Sequence, residues 1–219
     1  MKYKLRTAKI LDSQLNLSLE NKLLINTINA HSYNVAQEDI DFQKSLNASH
    51  ILLPDGISIV IAIKILTGKR IKRITGADLF QYEMSKLNEI NGSCFFLGST
   101  NETLDKIISK ASIDFPKVKI NVYSPPYKPE FNSSDNTEML KLINSASPDV
   151  LFIGMTAPKQ EKWAHSHYNE INANHICSIG AVFNFYAGNI KRAPNWVQNI
   201  GLEWFYRLIS EPRRMWKRY

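Results

Sequence analysis

Short apolar runs alternate with segments of helical periodicity along most of this sequence. Short runs rich in β-branched and aromatic residues indicate strands, whereas apolar residues at i, i+3, i+4 and i+7 indicate amphipathic helices. A helix between two strands carries the chain back across the sheet, so this alternation favours parallel strands. We therefore expect an α/β fold with a Rossmann-like, largely parallel sheet sandwiched by helices.

Six apolar runs are predicted as strands, each buried on both faces of the sheet. They are Leu23–Asn29, His50–Leu53, Ser93–Leu97, Val118–Tyr123, Val150–Gly154 and His175–Phe183. Four helices are predicted by apolar periodicity and by caps. The first begins near Thr75 and stops at Asn91-Gly92, and the second begins at Glu102. The third covers Asp135–Ala146, and the fourth covers Lys159–Ile171. Tyr123–Asn136 is the best candidate for a loop.

The composition is that of a globular protein with one large core. With 219 residues and 44% hydrophobic residues, the chain can bury one large core, alone or with a smaller appendage. Its two cysteines, Cys94 and Cys177, lie in apolar runs without metal-ligand spacing, so we expect buried thiols in a reducing cytoplasm. Because no signal-peptide segment and no run of eighteen apolar residues is found, we expect neither export nor a membrane span.

Basic residues concentrate at the C-terminus. Residues 191–219 contain seven basic and two acidic residues, a surplus of five, which leaves +2 of the net charge of +7 for the other 190 residues. Aromatic side chains such as Trp196, Trp204 and Trp216 are interspersed among these charges. Such a segment suits a nucleic acid, an anionic membrane surface or a phosphorylated substrate.

Asp55 is a single acidic residue between two strongly apolar runs. Pro54-Asp55-Gly56 is typical of a tight hairpin turn, in which Asp55 would only bond its own backbone. The apolar run after Gly56 is long for a strand, however, and predicts a buried helix that stops at Gly68. Asp55 would then follow the carboxyl end of a strand, where open α/β sheets bind ligands, and it becomes a candidate catalytic base.

Two further strand ends are candidate binding loops. Phe95–Thr100 ends a strand in Gly-Ser-Thr and opens a helix, which suits a phosphate or nucleotide or is an ordinary turn. After the strand at Val150–Gly154, Lys159, Gln160 and Glu161 form a polar cluster that core packing does not require.

A metal site is the less favoured interpretation of Asp39-Ile40-Asp41. A D-x-D motif can hold a divalent cation under a diphosphate, but here the two aspartates fall in a helical pattern, where i and i+2 point apart. The five histidines form no ligand set, although His31, close to Asn29, is a candidate for contact with substrate.

Several ordered segments resemble the WecG/TagA/CpsF glycosyltransferase family from about Leu23 to Tyr219. The segments include T-I-N at Thr27–Asn29, L-L-P-D-G at Leu52–Gly56, P-K-Q-E at Pro158–Glu161, and R-A-P, G-L-E-W and E-P-R-R after residue 190. The resemblance implies an inverting, metal-independent enzyme without a cofactor. It would transfer a hexose or N-acetylhexosamine, such as N-acetylmannosamine or its uronic acid, from a UDP-sugar to an undecaprenyl-diphosphate-linked sugar.

The resemblance also implies roles for individual residues. Asp55 would be the catalytic base, and Thr27, Asn29, Arg73 and Gln160 would bind the donor. The acceptor diphosphate would be held by arginines of the C-terminal segment, namely Arg192, Arg207, Arg214 and Arg218. This chain departs from the family's usual residues at Met155-Thr156-Ala157 and at Ala181-Val182-Phe183. The family's usual donor sugar is therefore not assumed for it.

The implied organisation is an α/β core over residues 1–190 and a basic appendage over residues 191–219 that meets the acceptor and the inner face of the cytoplasmic membrane. The family works in cell-envelope polysaccharide biosynthesis. A nucleic-acid-binding protein is an alternative that explains the basic tail but gives Asp55 and Gln160 no role. A nicotinamide-dependent enzyme is a second alternative, although the G-x-G-x-x-G fingerprint is missing. The sequence leaves open whether the active form is a homo-oligomer.

Overall fold

The computed structural model describes residues 10, 14–191, 193, 194, 197 and 203–210. Within the last of these ranges, four side chains, at positions 203, 204, 207 and 210, are not described. Arg192, Arg214 and Arg218 therefore lie outside the described residues. The backbone of Arg207 belongs to a helix, and its side chain is not described.

Six parallel strands form one sheet. They are β1 (Leu23–Ile28), β2 (Ile51–Pro54), β3 (Ser93–Gly98), β4 (Lys119–Tyr123), β5 (Val150–Gly154) and β6 (His175–Ser178), in the order β2-β1-β6-β5-β3-β4. Every neighbouring pair is parallel. The predicted Rossmann-like α/β fold is confirmed. From β1 the chain moves to β2 on one side of the sheet, whereas β3 and β4 lie on the other side, beyond β6 and β5. The strand order therefore reverses near the middle of the sheet, and sheets of this kind bind ligands at the carboxyl edge of that point.

Helices cover the sheet. They are α1 (Ala30–Glu38), α2 (Ile40–Ala48), α3 (Ile57–Thr67), α4 (Gly76–Ile90), α5 (Asn101–Asp114), α6 (Ser133–Ala146), α7 (Lys159–Ser166), α8 (Val182–Tyr186) and α9 (Glu203–Ser210). The predicted bounds of α4 are confirmed for a physical reason. Thr75 caps its first turn by accepting the backbone N–H of Asp78, and Asn91 ends it in the left-handed conformation at φ 55°.

Three apolar clusters hold these layers together. The largest joins α4, α5 and α8 to the sheet around Phe80, Phe96 and Phe152, and a second packs α6 and α7 on the sheet. The third fills the space among α1, α2, α3 and β2. Cys94 and Cys177 are both buried, as expected, and burial raises the pKa of each thiol.

Two predicted strands differ from the structure. The run His175–Phe183 is a strand only to Ser178, because Gly180 turns the chain at φ 52° and Val182 begins α8. The strand predicted at Val118–Tyr123 begins one residue later, and as the edge strand β4 it is partly exposed rather than buried on both faces. Apolarity predicted these runs but not the turn or the edge position.

Two predicted helices also differ. The helix predicted over Lys159–Ile171 ends at Ser166, and turns continue the chain to β6. The helix after Gly56 does end at Gly68 in the left-handed conformation, as predicted, but it is not buried. Ile59 and Ile63 face the core, whereas Ile65 is 77% exposed. Within the part of the chain that the structure describes, no helix combines the length and apolarity needed to cross a bilayer.

Candidate active site

A cavity of about 410 Å³ opens at the carboxyl edge of the sheet. Its walls come from the residues that follow β1, β2, β5 and β6 and from the first residues of α4 and α7. Of the predicted site residues, the lining includes Thr27, Asn29, Asp55 and Gln160. The fold thus brings together four residues that are up to 133 positions apart, counted from Thr27 to Gln160.

Asp55 is held at the end of β2 through its backbone. Its N–H donates to the carbonyl of Ile28 at 3.0 Å, which continues the pairing of β1 and β2 beyond the last strand residue. Its carbonyl accepts a hydrogen bond from Nε of Arg73 at 2.8 Å. Asp55 therefore lies between the end of β2 and Gly56, the residue before α3, with its backbone held by hydrogen bonds at both its N–H and its carbonyl. It is part of the cavity wall.

Arg73 reaches the site from the loop between α3 and α4. It contacts the backbone of Asp55, and it is not among the described residues that line the cavity. This geometry makes Arg73 a support of Asp55, whereas its predicted contact with the donor stays a prediction.

Asn29 connects the site to α1. Its Oδ1 accepts the backbone N–H of Ser32 at 3.0 Å, and the Ser32 hydroxyl accepts the backbone N–H of Asn29 at 2.8 Å, which completes a capping box. Because the oxygen of the carboxamide caps the helix, the Nδ2 group is the donor that Asn29 offers to a ligand. The chain packs closely here, since a Cβ on Gly56 would lie 3.1 Å from the Cβ of Asn29.

Gln160 and Glu161 form a buried pair in the cavity wall. They are 3% and 2% exposed, and Nε2 of Gln160 donates to Oε1 of Glu161 at 2.9 Å. Because that bond fixes the carboxamide, Oε1 of Gln160 is the acceptor that remains, and it has no hydrogen-bond partner among the described residues. A buried acceptor without a partner is costly in a folded protein. A donor group on a ligand would satisfy it.

Gly180 lets the chain pass close to this pair. It turns the backbone at φ 52°, and a Cβ there would lie 3.4 Å from Nε2 of Gln160. The third residue of the polar cluster, Lys159, turns away and lies 3.5 Å from the centre of the Phe131 ring. Gln160 and Glu161 thus belong to the cavity wall, whereas Lys159 packs on Phe131 in the loop before α6.

The D-x-D pair serves the helices. Asp39 ends α1 and caps α2 through the N–H of Phe42, and its carboxylate pairs with Lys162 at 2.8 Å. Burial alone would raise the pKa of Asp39, but the hydrogen bonds from Lys162 and Phe42 outweigh burial and lower it. Asp41 pairs with Lys44 at 3.0 Å. Over the described ranges, no group of three or more histidine, cysteine and acidic side chains is placed to hold a metal ion.

Sequence reasoning assigned no role to several residues that the structure places in the cavity wall. These are Thr75, Gly76, Glu161, Gly180, Asn184 and Phe185. Glu161 was visible as part of the polar cluster, and His31, a weaker candidate, also lies in the wall. The candidate loop Phe95–Thr100 does not line the cavity. It consists of the end of β3 and a short turn in which Thr100 caps α5 through the N–H of Thr103.

Comparison with known proteins places this architecture among enzymes of glycosyl transfer. The chain is 34% identical over 195 residues to the N-acetylglucosaminyldiphosphoundecaprenol N-acetyl-beta-D-mannosaminyltransferase of Bacillus subtilis (strain 168), an alignment that covers 89% of this chain and 74% of the relative. It is 30% identical over 183 residues to the protein of the same name from Bacillus spizizenii, covering 84% and 69%. Against the one from Staphylococcus aureus (strain MW2) it is 29% identical over 199 residues, covering 90% and 74%.

The model of one protein family matches nearly the whole chain. Its description is the glycosyl transferase WecG/TagA/CpsF family, and the match extends over residues 4–219. It therefore includes the β1, β2 and α7 segments that build the cavity as well as the C-terminal segment. This chain belongs to the WecG/TagA/CpsF family of glycosyltransferases.

Proposed function

We propose that this enzyme transfers a hexose or N-acetylhexosamine from a UDP-sugar, with inversion and without a metal ion, to a sugar attached to a polyprenyl diphosphate. The observation that carries the proposal is the position of Asp55 in the wall of the cavity, beside Thr27, Asn29 and Gln160. The names of the relatives support the acceptor class, since each of them is named for N-acetylglucosaminyldiphosphoundecaprenol. N-acetylmannosamine is the first donor sugar to test, because the same names specify its transfer.

Asp55 is the proposed general base. In an inverting transfer, the acceptor hydroxyl oxygen bonds to the anomeric carbon while the bond from that carbon to the diphosphate oxygen breaks. The carboxylate of Asp55 takes the hydroxyl proton, and UDP leaves with the bonding electrons. A base in this position needs a fixed backbone, and the hydrogen bonds to Ile28 and from Arg73 supply it.

The donor is proposed to lie between the ends of β1 and β5. The cavity volume falls in the range of small-molecule sites. Oε1 of Gln160 accepts a hydrogen bond from a hydroxyl or N–H group of the donor, and Nδ2 of Asn29 donates one. Met155, Thr156 and Ala157 belong to the same wall, so residues that depart from the family's usual pattern contribute to the choice of sugar.

Metal independence is supported by what the aspartates of the D-x-D already bind. The carboxylate of Asp39 pairs with Lys162 and caps α2, and that of Asp41 pairs with Lys44. Stabilisation of the leaving diphosphate then falls to arginine guanidinium groups, which bind phosphate oxygens in a bidentate manner. Arg73 is the proposed donor-side arginine.

The C-terminal segment, residues 191–219, is proposed to bind the acceptor diphosphate through Arg192, Arg207, Arg214 and Arg218 at the inner face of the cytoplasmic membrane. The described part of this segment fits a membrane surface. Phe205 and Ile209, one helical turn apart on α9, are 47% and 67% exposed. Exposed aromatic and aliphatic side chains within a basic segment are typical of helices at the lipid interface.

The test measures transfer from a panel of UDP-sugars to a short-chain lipid-diphosphate N-acetylglucosamine, with and without EDTA. For Asp55→Asn we expect a loss of about 10²- to 10⁴-fold in rate, the usual contribution of a general base, with UDP-sugar binding retained. Asp105→Asn is the matched control, because Asp105 is an exposed aspartate on α5.

Two outcomes would contradict the proposal. If Asp55→Asn transfers at the rate of the unmodified enzyme, Asp55 is only a turn residue. If EDTA abolishes transfer and Mg²⁺ or Mn²⁺ restores it, the reaction depends on a metal.

A further inference from the structure

Helix α3 exposes an apolar surface that the core does not use. Ile61 is 50% exposed, and Ile65 and Leu66 are each 77% exposed. We call these three residues the α3 patch. The opposite side of the helix buries Ile59 and Ile63 against α1 and α2. Single exposed aliphatic residues are common on proteins, but neighbouring ones on adjacent helical turns form a continuous patch that marks a contact surface.

The charges in the chain segment that contains the α3 patch are all of one sign. Between Gly56 and Ala77 the chain carries five basic residues and no acidic one. Four of them are exposed, namely Lys64, Lys69, Arg70 and Lys72. Other strongly exposed isoleucines have different neighbours, since Ile40 lies between Asp39 and Asp41, and Ile113 precedes Asp114.

An apolar helix face among basic residues matches the chemistry of an anionic bilayer. The aliphatic side chains enter the boundary between headgroups and acyl chains, while lysine and arginine contact lipid phosphates. A second protein would need acidic groups to match this surface. A bilayer of anionic phospholipid supplies both the negative charge and the apolar layer.

The α3 patch is also close to the site along the chain. Helix α3 begins two residues after Asp55, and Ile65 lies about 12 Å along the helix axis from Ile57, at about 1.5 Å per residue. We propose that the α3 patch and its basic neighbours are a docking surface for an anionic phospholipid bilayer, separate from the C-terminal segment. This inference rests on the proposed function, in which the acceptor is anchored in the membrane.

The first experiment measures partitioning of the full chain onto vesicles of phosphatidylglycerol and phosphatidylcholine by co-sedimentation. For the triple variant Ile61→Gln, Ile65→Gln, Leu66→Gln we expect at least a tenfold loss of partitioning, because three aliphatic side chains no longer enter the interface. Ile113→Gln is the matched control and should bind like the unmodified chain, since Ile113 is 80% exposed on α5. Thermal unfolding checks that each variant is folded. If the triple variant is not folded, Leu66→Gln alone should lower partitioning about threefold.

The second experiment tests the charges. Lys64→Gln with Arg70→Gln should weaken binding to phosphatidylglycerol vesicles by about tenfold, and added salt should reduce the difference. Lys117→Gln with Lys119→Gln removes the same charge next to β4, at the opposite edge of the sheet from β2, and should have a smaller effect.

The inference is overturned if the unmodified chain does not bind anionic vesicles, or if the triple variant binds them as well as the unmodified chain does. It is also overturned if sedimentation velocity shows that the triple variant loses self-association while its vesicle binding is unchanged, because the α3 patch would then be an interface between copies. These vesicles contain neither donor nor acceptor. Failure of docking is therefore measured separately from failure of transfer to the short-chain acceptor.

Discussion

The two edges of the sheet differ in whether their buried polar groups line the cavity. At the amino edge, polar groups bind each other: His175 contacts Glu83 at 2.9 Å through Nδ1 and the carbonyl of Ser18 at 3.0 Å through Nε2, with both side chains fully buried. The second carboxylate oxygen of Glu83 has no hydrogen-bond partner among the described residues, and Glu83 does not line the cavity. The Asp149 carboxylate likewise accepts the N–H and hydroxyl of Ser93. At the carboxyl edge, Gln160 is almost as buried and its Oε1 also has no partner among the described residues, but Gln160 lines the cavity.

This difference separates scaffold from site. A buried polar contact within the scaffold stabilises one arrangement of the chain, whereas an unpartnered polar group on a residue that lines a cavity costs stability until a ligand binds. We therefore expect substitutions at the amino edge to change stability and substitutions at the carboxyl edge to change catalysis. Four predictions test this comparison, beginning with the largest effect.

Glu83→Ala should lower the free energy of unfolding by about 3 kcal/mol, because it leaves His175 buried without its partner. The rate of transfer per folded molecule should change little at low temperature. Urea unfolding and the transfer assay measure the two quantities. Glu89→Ala, an exposed position on the same helix, is the control and should change stability by less than about 0.5 kcal/mol. If Glu83→Ala instead lowers the rate of transfer and leaves the free energy of unfolding unchanged, the assignment of the amino edge to the scaffold is wrong.

Gln160→Ala should lower kcat/KM by about 10- to 100-fold, the equivalent of about 1.4 to 2.7 kcal/mol of transition-state stabilisation, because it removes the proposed hydrogen bond from the donor to Oε1. Gln160→Ala should lower the free energy of unfolding by less than Glu83→Ala does. Steady-state kinetics with the preferred UDP-sugar measures the effect, and Gln81→Ala on the exposed side of α4 is the control. Unchanged kinetics would show that the buried oxygen is not a ligand contact.

Gly180→Ala should destabilise the fold by about 1 to 2 kcal/mol, since an alanine is strained at a φ of 52°. The added methyl group would also lie against the Gln160 carboxamide, so KM for the donor should rise. Thermal unfolding and donor titration measure the two effects. If the KM for the donor is unchanged in Gly180→Ala, Gly180 serves only the turn.

Asp39→Asn should lower stability by about 0.5 kcal/mol near pH 7 and by less in acid, because asparagine keeps the cap of α2 but loses the ion pair with Lys162. The pKa of Asp39 is lowered in the fold, so its contribution is present above the unfolded pKa of about 4 and is lost as the pH falls through the lower folded pKa. Urea unfolding from pH 7 to well below pH 4, where the folded carboxylate takes up its proton, measures the change, with Asp105→Asn as the control. A difference that grows in acid would contradict the assigned ion pair with Lys162.

Much of the fold could be predicted because local signals agreed with the tertiary structure. Val150–Gly154 is a strand with the predicted bounds, and α4 begins and ends at the predicted caps. The errors have a common cause. Apolarity alone does not show whether a strand lies at an edge, as β4 does, or how much of a helix such as α3 the rest of the protein covers.

The site shows the same division. The prediction that Asp55 lies between a strand and a helix is confirmed, and the structure places it in a cavity with Thr27, Asn29 and Gln160. The arrangement of the Gln160 carboxamide could not be predicted, because it depends on a hydrogen bond to Glu161 and on the approach of Gly180 from β6. The same holds for Arg73, which contacts the Asp55 backbone.

The sequence by itself determined the strand-helix alternation, the helix caps, the concentration of basic residues after residue 190 and the motifs of the family. These features depend on residues close together in the chain. Only the tertiary structure decided which strand lies at an edge, which face of α3 stays exposed and which buried polar residues line the cavity. Those features depend on packing between segments that are far apart in sequence, and local propensity does not specify that packing.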